Sequence, residues 1–363
     1  MQYWQSLLRR AAPTGGWPRG ASARALGVDV GLASAKLVDV STTRAGAGRR
    51  RHPVAGAAGR RWRLEAAALV PWPGQGAAPG AACIDAEGGV TDIGAVASAL
   101  KPVVDARGWR GREAVAAMPA AAVTVRRLQV PPALGARDLE LEVQLQAEAL
   151  LPLPLEQSHL DYWVEPDGQV RMAAASRAAV DARCEALGRA GLRVVAVDLA
   201  SDALRRSARR TLQTRQTEPH AGTDGVCALI DIGLQAARIQ LLCGARVLHE
   251  REQVGLGAVA LRELTLAEAA QALSDALSLF FDGRASALET ILLSGAFASR
   301  PGLVQAMQLH NLCACELLMP FAGFDYAATV DRTWLHPQAA AFASACGLAL
   351  HAWSNELPAE ASA

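Results

Sequence analysis

The residues best suited to chemistry lie in two short stretches, one in each half of the chain. Leu26-Gly27-Val28-Asp29-Val30-Gly31 and Leu229-Ile230-Asp231-Ile232-Gly233 each carry an apolar, strand-like run into Asp-x-Gly. A second apolar run follows each of them. Such a hairpin can grip phosphate. The carboxylate at the strand end orients Mg²⁺ or a water, and the glycine lets backbone N–H groups approach phosphate oxygens. Small hydroxyl residues add donors, and a lysine adds point charge. In the first stretch Asp29, Gly31 and Lys36 fit these roles, with Ser34 as a candidate hydroxyl, while Leu32 and Ala33 do not. In the second, Asp231 and Gly233 fit, but Leu234, Gln235 and Ala236 replace the small polar turn. Asp29 and Asp231 are also the candidate Mg²⁺ ligands. The alternative is that both aspartates only cap tight turns between buried strands.

Strands and helices must hold these turns in place. The pattern predicts strands at Ala25–Val30 and Ala35–Val40, a basic Gly/Ala/Arg loop over Ser41–Arg63, and a strand at Leu64–Val70. Ile93–Ala106 reads as a helix, with Val96, Leu100 and Val103-Val104 recurring at helical spacing. Strands are expected at Glu113–Met118 and Val123–Val130. Arg137–Leu151 is ambiguous. Leu139, Leu141, Val143 and Leu145 alternate with polar residues, as in a strand. The residue types are strong helix formers, so a helix ended by Pro152 and Pro154 is expected. Strand, helix, strand and helix follow over Val170–Ala175, Ala178–Arg189, Leu192–Asp198 and Ser201–Thr214. The second half repeats the hairpin at Val226–Ile232 and Ala237–Cys243. It continues with a helix at Ala267–Phe281, a buried strand Ile291–Ser294, a helix opened by Pro301, and a buried Ala-rich helix over Ala339–Leu350. This alternation predicts an α/β fold.

Composition narrows the function classes. The chain has 363 residues and 51% of them are hydrophobic, enough for two or three self-sufficient cores. The formal net charge of +1 argues against nucleic acid as a partner. The seven cysteines include no Cys-x-x-Cys, and Cys313-Ala314-Cys315 is too close for an ordinary disulfide, so reduced, mostly buried thiols are expected. No run approaches the ~18 apolar residues of a membrane span.

Several stretches resemble the PilM family, actin-like cytoplasmic proteins of type IV pilus assembly that are similar to FtsA. Besides the first hairpin, the resemblance rests on Val125-Arg126-Arg127-Leu128-Gln129-Val130-Pro131, the acidic segment after it, Leu151-Pro152-Leu153-Pro154-Leu155-Glu156, and Leu160-Asp161-Tyr162. Gly191–Asp198, Leu293-Ser294-Gly295 with Pro301-Gly302-Leu303, and Pro320-Phe321-Ala322-Gly323 add to it. The resemblance implies an actin-like, duplicated RNase H-like fold of two lobes with an inserted subdomain. The expected division is a leader over 1–23, a first lobe over 24–123 and 193–215, the insert over 124–192, a second lobe over 222–350, and a tail over 351–363. It also implies ATP between the lobes, with Gly295 in the adenosine loop. A PilN-like membrane protein would insert its cytoplasmic N-terminal tail against Arg126, Arg127, Leu128, Leu150, Leu151, Leu153 and Leu155. The chain would then sit in the cytoplasm, peripheral to the inner membrane through this partner and alongside other pilus platform proteins. Self-association stays open.

The chain departs from the family in the nucleotide region. Leu32, Ala33, Leu234 and Gln235 remove turn hydroxyls, and Ala296-Phe297 replaces further glycine. The stretch between Gly257 and Ala267 is too short for a full outer subdomain in the second lobe. One lost neutral hydrogen bond costs about 0.5–1.5 kcal/mol. Several lost together with one wall of the site cost about 4 kcal/mol, about a thousandfold in affinity. The sequence therefore predicts a scaffold with a degenerate ATP/Mg²⁺ site and no catalytic residues. The alternatives are an ATP-binding switch or weak ATPase of pilus or type II secretion assembly, and a small-molecule kinase with Asp161 as its carboxylate.

Overall fold

The computed structural model describes residues 22–44, 60–72, 83–131, 134–165, 168–213, 225–244, 246–280 and 288–353. The expected leader up to residue 21, the centre of the basic loop (45–59), the linker residues 216–224 and the tail beyond 353 lie outside the described residues. The first half runs β1 (Ser22–Val30), β2 (Ser34–Arg44), β3 (Arg60–Pro71), α1 (Ile93–Ala106) and β4 (Glu113–Met118). A three-stranded segment follows: β5 (Val123–Leu128), α2 (Ala136–Leu150), β6 (Ser158–Val164), β7 (Val170–Ser176) and α3 (Arg177–Arg189). The chain then returns through β8 (Arg193–Leu199) and α4 (Ala200–Gln213). The second half runs β9 (Val226–Ile232), β10 (Ala236–Cys243), β11 (Arg246–Val254), α5 (Ala258–Arg262), α6 (Leu266–Ser278) and β12 (Leu288–Ser294). It closes with α7 (Leu303–Asn311), β13 (Ala314–Leu317), β14 (Asp325–Tyr326), α8 (Arg332–Leu335) and α9 (Ala343–Ala349).

The duplication hinted at by the two Asp-x-Gly turns is written in the sheet orders. One sheet reads β14-β3-β2-β1-β4-β8 and the other β11-β10-β9-β12-β13. Apart from the two-residue β14, each is three consecutive strands followed by two later ones. In both, the later strands join in parallel: β1 with β4 and β4 with β8, then β9 with β12 and β12 with β13. The third sheet, β5-β7-β6, is antiparallel.

By compactness the chain forms two units, Met1–Asp39 with Ala68–Ala203 and Leu348–Leu357, and Val40–Ala67 with Leu204–Gly347 and Pro358–Ala363. In the first unit α1 buries Val96, Leu100 and Val104 at i, i+4 and i+8, and the Asp92 side chain caps it by accepting from Ala95 N–H at 2.8 Å. Asp39 is fully buried there and accepts from Trp109 Nε1 at 3.1 Å and from Arg112 at 3.2 Å, with Arg24 beside it. In the second unit Ile230, Ile232, Ile239, Leu241, Leu273 and Leu293 form one core on one face of the five-stranded sheet. Leu204 and Ala208 of α4 pack with Leu229, Leu242 and Leu292 in another.

Three readings need correction. The stretch Ser41–Arg63, expected as loop, is strand at both ends, because β2 runs on to Arg44 and β3 begins at Arg60. The reason is an alternation hidden among arginines: Trp62 and Leu64 are buried while Arg61 and Arg63 are exposed. Pro301 does not open α7, since the helix starts at Leu303 after Gly302, which caps it in a left-handed conformation with φ 87°. The Ala-rich segment is not one α-helix but a 3₁₀ turn over His336–Phe342 leading into α9. Within that turn the Ala340 carbonyl accepts from Ser294 Oγ at 3.2 Å and Gly295 N–H at 3.3 Å. A tight first segment thus brings the carbonyl onto the end of β12.

Candidate functional site

The first hairpin turn is a closed local structure. Gly31 N–H donates to the Ser34 carbonyl at 3.1 Å, so this glycine amide is engaged by the turn itself. The Ser34 side chain is buried. Lys36 does reach the turn: a Cβ built on Gly31 would lie 3.4 Å from its Nζ. Trp72, just beyond β3, donates its Nε1–H to the Gly31 carbonyl at 2.8 Å and its backbone N–H to the Ala33 carbonyl at 3.4 Å.

Beneath the turn lies Arg183 of α3, a residue that the sequence reading did not single out. It is 1% exposed. Its guanidinium donates to the Val30 carbonyl at 3.0 Å and to the Gly88 carbonyl. Burial pushes its pKa down to about 10, while nearby Asp29 pulls it back up. Its Nε is buried without a hydrogen-bond partner among the described residues. The signal was present in the sequence. Arg183 stands three residues after Val180 and four before Leu187, so it sits on the apolar face of α3, and all three are buried.

The second hairpin repeats the closure. Gly233 N–H donates to the Ala236 carbonyl at 2.9 Å. The first amides of α5 are directed at this turn: Ala258 N–H donates to the Gly233 carbonyl at 2.8 Å and Val259 N–H to the Leu234 carbonyl at 3.0 Å. Gly257 permits that approach, since a Cβ there would stand 2.4 Å from the Gln235 carbonyl carbon. Gly295 lies against the end of β9. Its φ is 90° and a Cβ would meet the Ile232 carbonyl oxygen at 2.2 Å. Phe297, which stands where the family resemblance implies further glycine, is 5% exposed and belongs to the unit's core with Leu303 and Met307. A cavity of about 540 Å³ opens between α7 and β13, lined by Pro301, Gln305, Gln308 and Leu317 among others, and includes none of Asp231, Gly233 or Gly295. Among the described residues no cluster of three His, Cys, Asp or Glu side chains could hold a metal ion.

The three-stranded segment unites the residues expected to meet a partner. Leu128 is buried with Val143, Ala147, Val170 and Met172, and Leu151 and Leu155 pack against the same core. Leu150 and Leu153 stand exposed at its rim. Gln146 ties α2 to the end of β5 through the Gln129 carbonyl at 2.7 Å. Arg126 and Arg127 are exposed on β5, an edge strand of its sheet. Asp161, the one carboxylate weighed for a kinase, is 5% exposed inside this segment. No helix among the described residues is long and apolar enough to cross a membrane.

The repeated sheet order and the paired Asp-x-Gly turns define a protein of the actin-like α/β class. The family model described as type IV pilus assembly protein PilM matches residues 61–265 and 264–353. The chain belongs to the PilM family. Among solved structures it is similar to a PilM-PilN type IV pilus biogenesis complex, with 26% identity, 92% of this chain and 99% of that chain covered, and a TM-score of 0.67. More distant likenesses include the ethanolamine utilization protein EutJ from Carboxydothermus hydrogenoformans, with 13% identity, coverage of 95% and 94%, and a TM-score of 0.43. Another is a Bacteroides thetaiotaomicron protein with an actin-like ATPase fold and unknown function, with 10% identity, coverage of 82% and 91%, and a TM-score of 0.42.

Proposed function

We propose that this chain is a scaffold of type IV pilus assembly that binds the N-terminal tail of a PilN-like membrane protein through the β5–α2 segment. Through that partner it sits at the cytoplasmic face of the inner membrane beside other platform proteins. The observation that carries the reading is that β5 is an edge strand with Arg126 and Arg127 exposed, in the same three-stranded segment that leaves Leu150 and Leu153 exposed. An extended tail can add to a free strand edge through main-chain hydrogen bonds, and a few apolar anchors then fix its register. Leu128, Leu151 and Leu155 hold that surface from behind. The structural relative is itself a PilM-PilN complex.

The nucleotide site is, in this reading, degenerate. The turn residues do not fit a nucleotide's phosphates well, because the amides of Gly31 and Gly233 are committed to Ser34 and Ala236. A single five-residue helix, α5, stands between β11 and α6, which supports a reduced outer subdomain. The chain in this reading acts by binding its partner and not by nucleotide turnover.

A labelled synthetic tail of a PilN protein, titrated with the full chain and read by fluorescence anisotropy, tests the reading. Binding that is weakened by Arg127→Glu and by Leu153→Asp is expected. A tail that binds all three proteins equally, or none of them, contradicts it. A second reading, an ATP-gated switch, draws on the approach of Lys36 Nζ to Gly31. Under that reading Mg-ATP gives calorimetric heat that Lys36→Ala abolishes.

A further inference from the structure

The two aspartates expected to hold Mg²⁺ each lie beside an arginine. In the second half the strand register fixes the neighbours. Asp231 of β9 stands directly opposite Arg238 of β10, and Arg238 stands directly opposite Glu252 of β11. On its other side Asp231 is level with Ser294 of β12. Residues directly opposite one another on paired strands project to the same face, with Cβ atoms about 4.5–5.5 Å apart. Ser294, Asp231, Arg238 and Glu252 therefore form one row across four strands. Ile230, Ile232, Ile239 and Leu293, their neighbours along the chain, fill the core on the opposite face.

Arg238 is held in that row. Its guanidinium donates to Glu252 at 2.5 Å, and Glu250 lies 3.9 Å from its Nε. The side chain is only 13% exposed. Arg205 of α4 meets Glu250 from the helix side at 3.7 Å, so Glu250 has a second cation and does not draw Arg238 away from the row. A guanidinium stays charged and presents its donors in a fixed fork, which suits a place between two carboxylates.

A divalent ion on Asp231 would meet this cation. Mg²⁺ demands a near-octahedral shell of oxygens. Beside Asp231 the row offers a guanidinium where an oxygen donor is needed, and like charges this close in a partly buried site repel strongly. At the first turn Arg183 stands in a similar relation to Asp29, whose carboxylate stabilises its charge.

We propose that Arg238 is the resident cation of Asp231, filling the place of a divalent metal at the second Asp-x-Gly turn and keeping the metal out, an assignment that rests on the degenerate reading of this site and not on tail binding at β5. The test titrates the full chain with Mn²⁺ alone, a stand-in for Mg²⁺ that shares its preference for oxygen ligands, and reads the free ion by electron paramagnetic resonance. Thermal unfolding of each variant is the fold control. The wild type is expected to leave the Mn²⁺ signal undiminished. Arg238→Gln puts an amide oxygen between Asp231 and Glu252 and should bind Mn²⁺ at least about tenfold more tightly than the wild type. Arg238→Ser, which also removes the charge, repeats the measurement should the glutamine variant unfold. Adding Asp231→Asn to Arg238→Gln should abolish the gain, and Arg238→Lys, which keeps a charge, should exclude the ion as the wild type does. Mn²⁺ held by the wild type and released by Asp231→Asn overturns the proposal. So does a failure of both charge-removing variants to gain Mn²⁺. No nucleotide is present, so either failure is distinct from tight Mg-ATP binding, the result that would sink the degenerate reading itself.

Discussion

Arg183→Met offers a sharp test of how the first hairpin is held. The side chain is replaced by an apolar one of similar length, so packing is largely kept. What is lost is the guanidinium that donates to the Val30 and Gly88 carbonyls. Hydrogen bonds from a charged donor contribute about 1.5–3 kcal/mol each, which sets a gross loss of about 3–6 kcal/mol. Against this stands the relief of no longer burying a charge, which the lowered pKa of Arg183 reveals. Buried charges often return a few kcal/mol when replaced by apolar groups. Two carbonyls that lose their guanidinium donor favour the loss, and a net cost of about 2–4 kcal/mol is expected. At about 2–4 °C per kcal/mol for a unit of this size, the melting temperature should fall by about 4–16 °C. Thermal unfolding followed by circular dichroism reads it. Hydrogen exchange should locate the loosening at β1 and at the Gly88 turn. A variant as stable as the wild type would show that α3 does not anchor the hairpin through Arg183.

Other consequences are equally direct. Gly295→Ala combines a left-handed backbone with a clash against the Ile232 carbonyl, so a loss of about 3 kcal/mol or more is expected in urea unfolding. Thr265→Ala removes the capping box of α6 and should cost about 1 kcal/mol by the same measurement. The Thr265 amide and hydroxyl hold the Glu268 carboxyl below its ordinary value. A folded pKa below the unfolded one means that this contribution is present above the ordinary value and is lost as pH falls through the folded one, so the α6 amides should lose exchange protection in acid and a Glu268→Gln variant should not. Burial raises the thiols of Cys315 and Cys346 to about 12. Both should resist thiol reagents in the native state at neutral pH and react fully in denaturant.

The elements legible in sequence were those whose apolar residues recur with one clear period. Ile93–Ala106 and Glu113–Met118 fall where their patterns place them. β11 escaped notice because Arg246, His249, Glu250, Arg251 and Glu252 give it no apolar alternation, as befits an edge strand kept charged against unwanted pairing. The 3₁₀ turn before α9 was illegible because the bond that shapes it, from Ser294 and Gly295 to Ala340, spans distant residues. Asp29, Gly31 and Lys36 could be picked out by type and spacing. That the glycine amides are already engaged follows from turn geometry, which spacing does not encode. Arg183 could have been suspected as the one charged residue on the buried face of α3. Its two carbonyl partners lie far away in sequence and could not be inferred.

The central claim is that tail binding persists where nucleotide binding has faded. One calorimetric comparison tests it: the full chain titrated first with a PilN-type tail peptide and then, as a fresh sample, with Mg-ATP. The account predicts saturable heat from the peptide without nucleotide, and weak or no heat from Mg-ATP. Tight Mg-ATP binding, with the peptide silent until nucleotide is present, would contradict it.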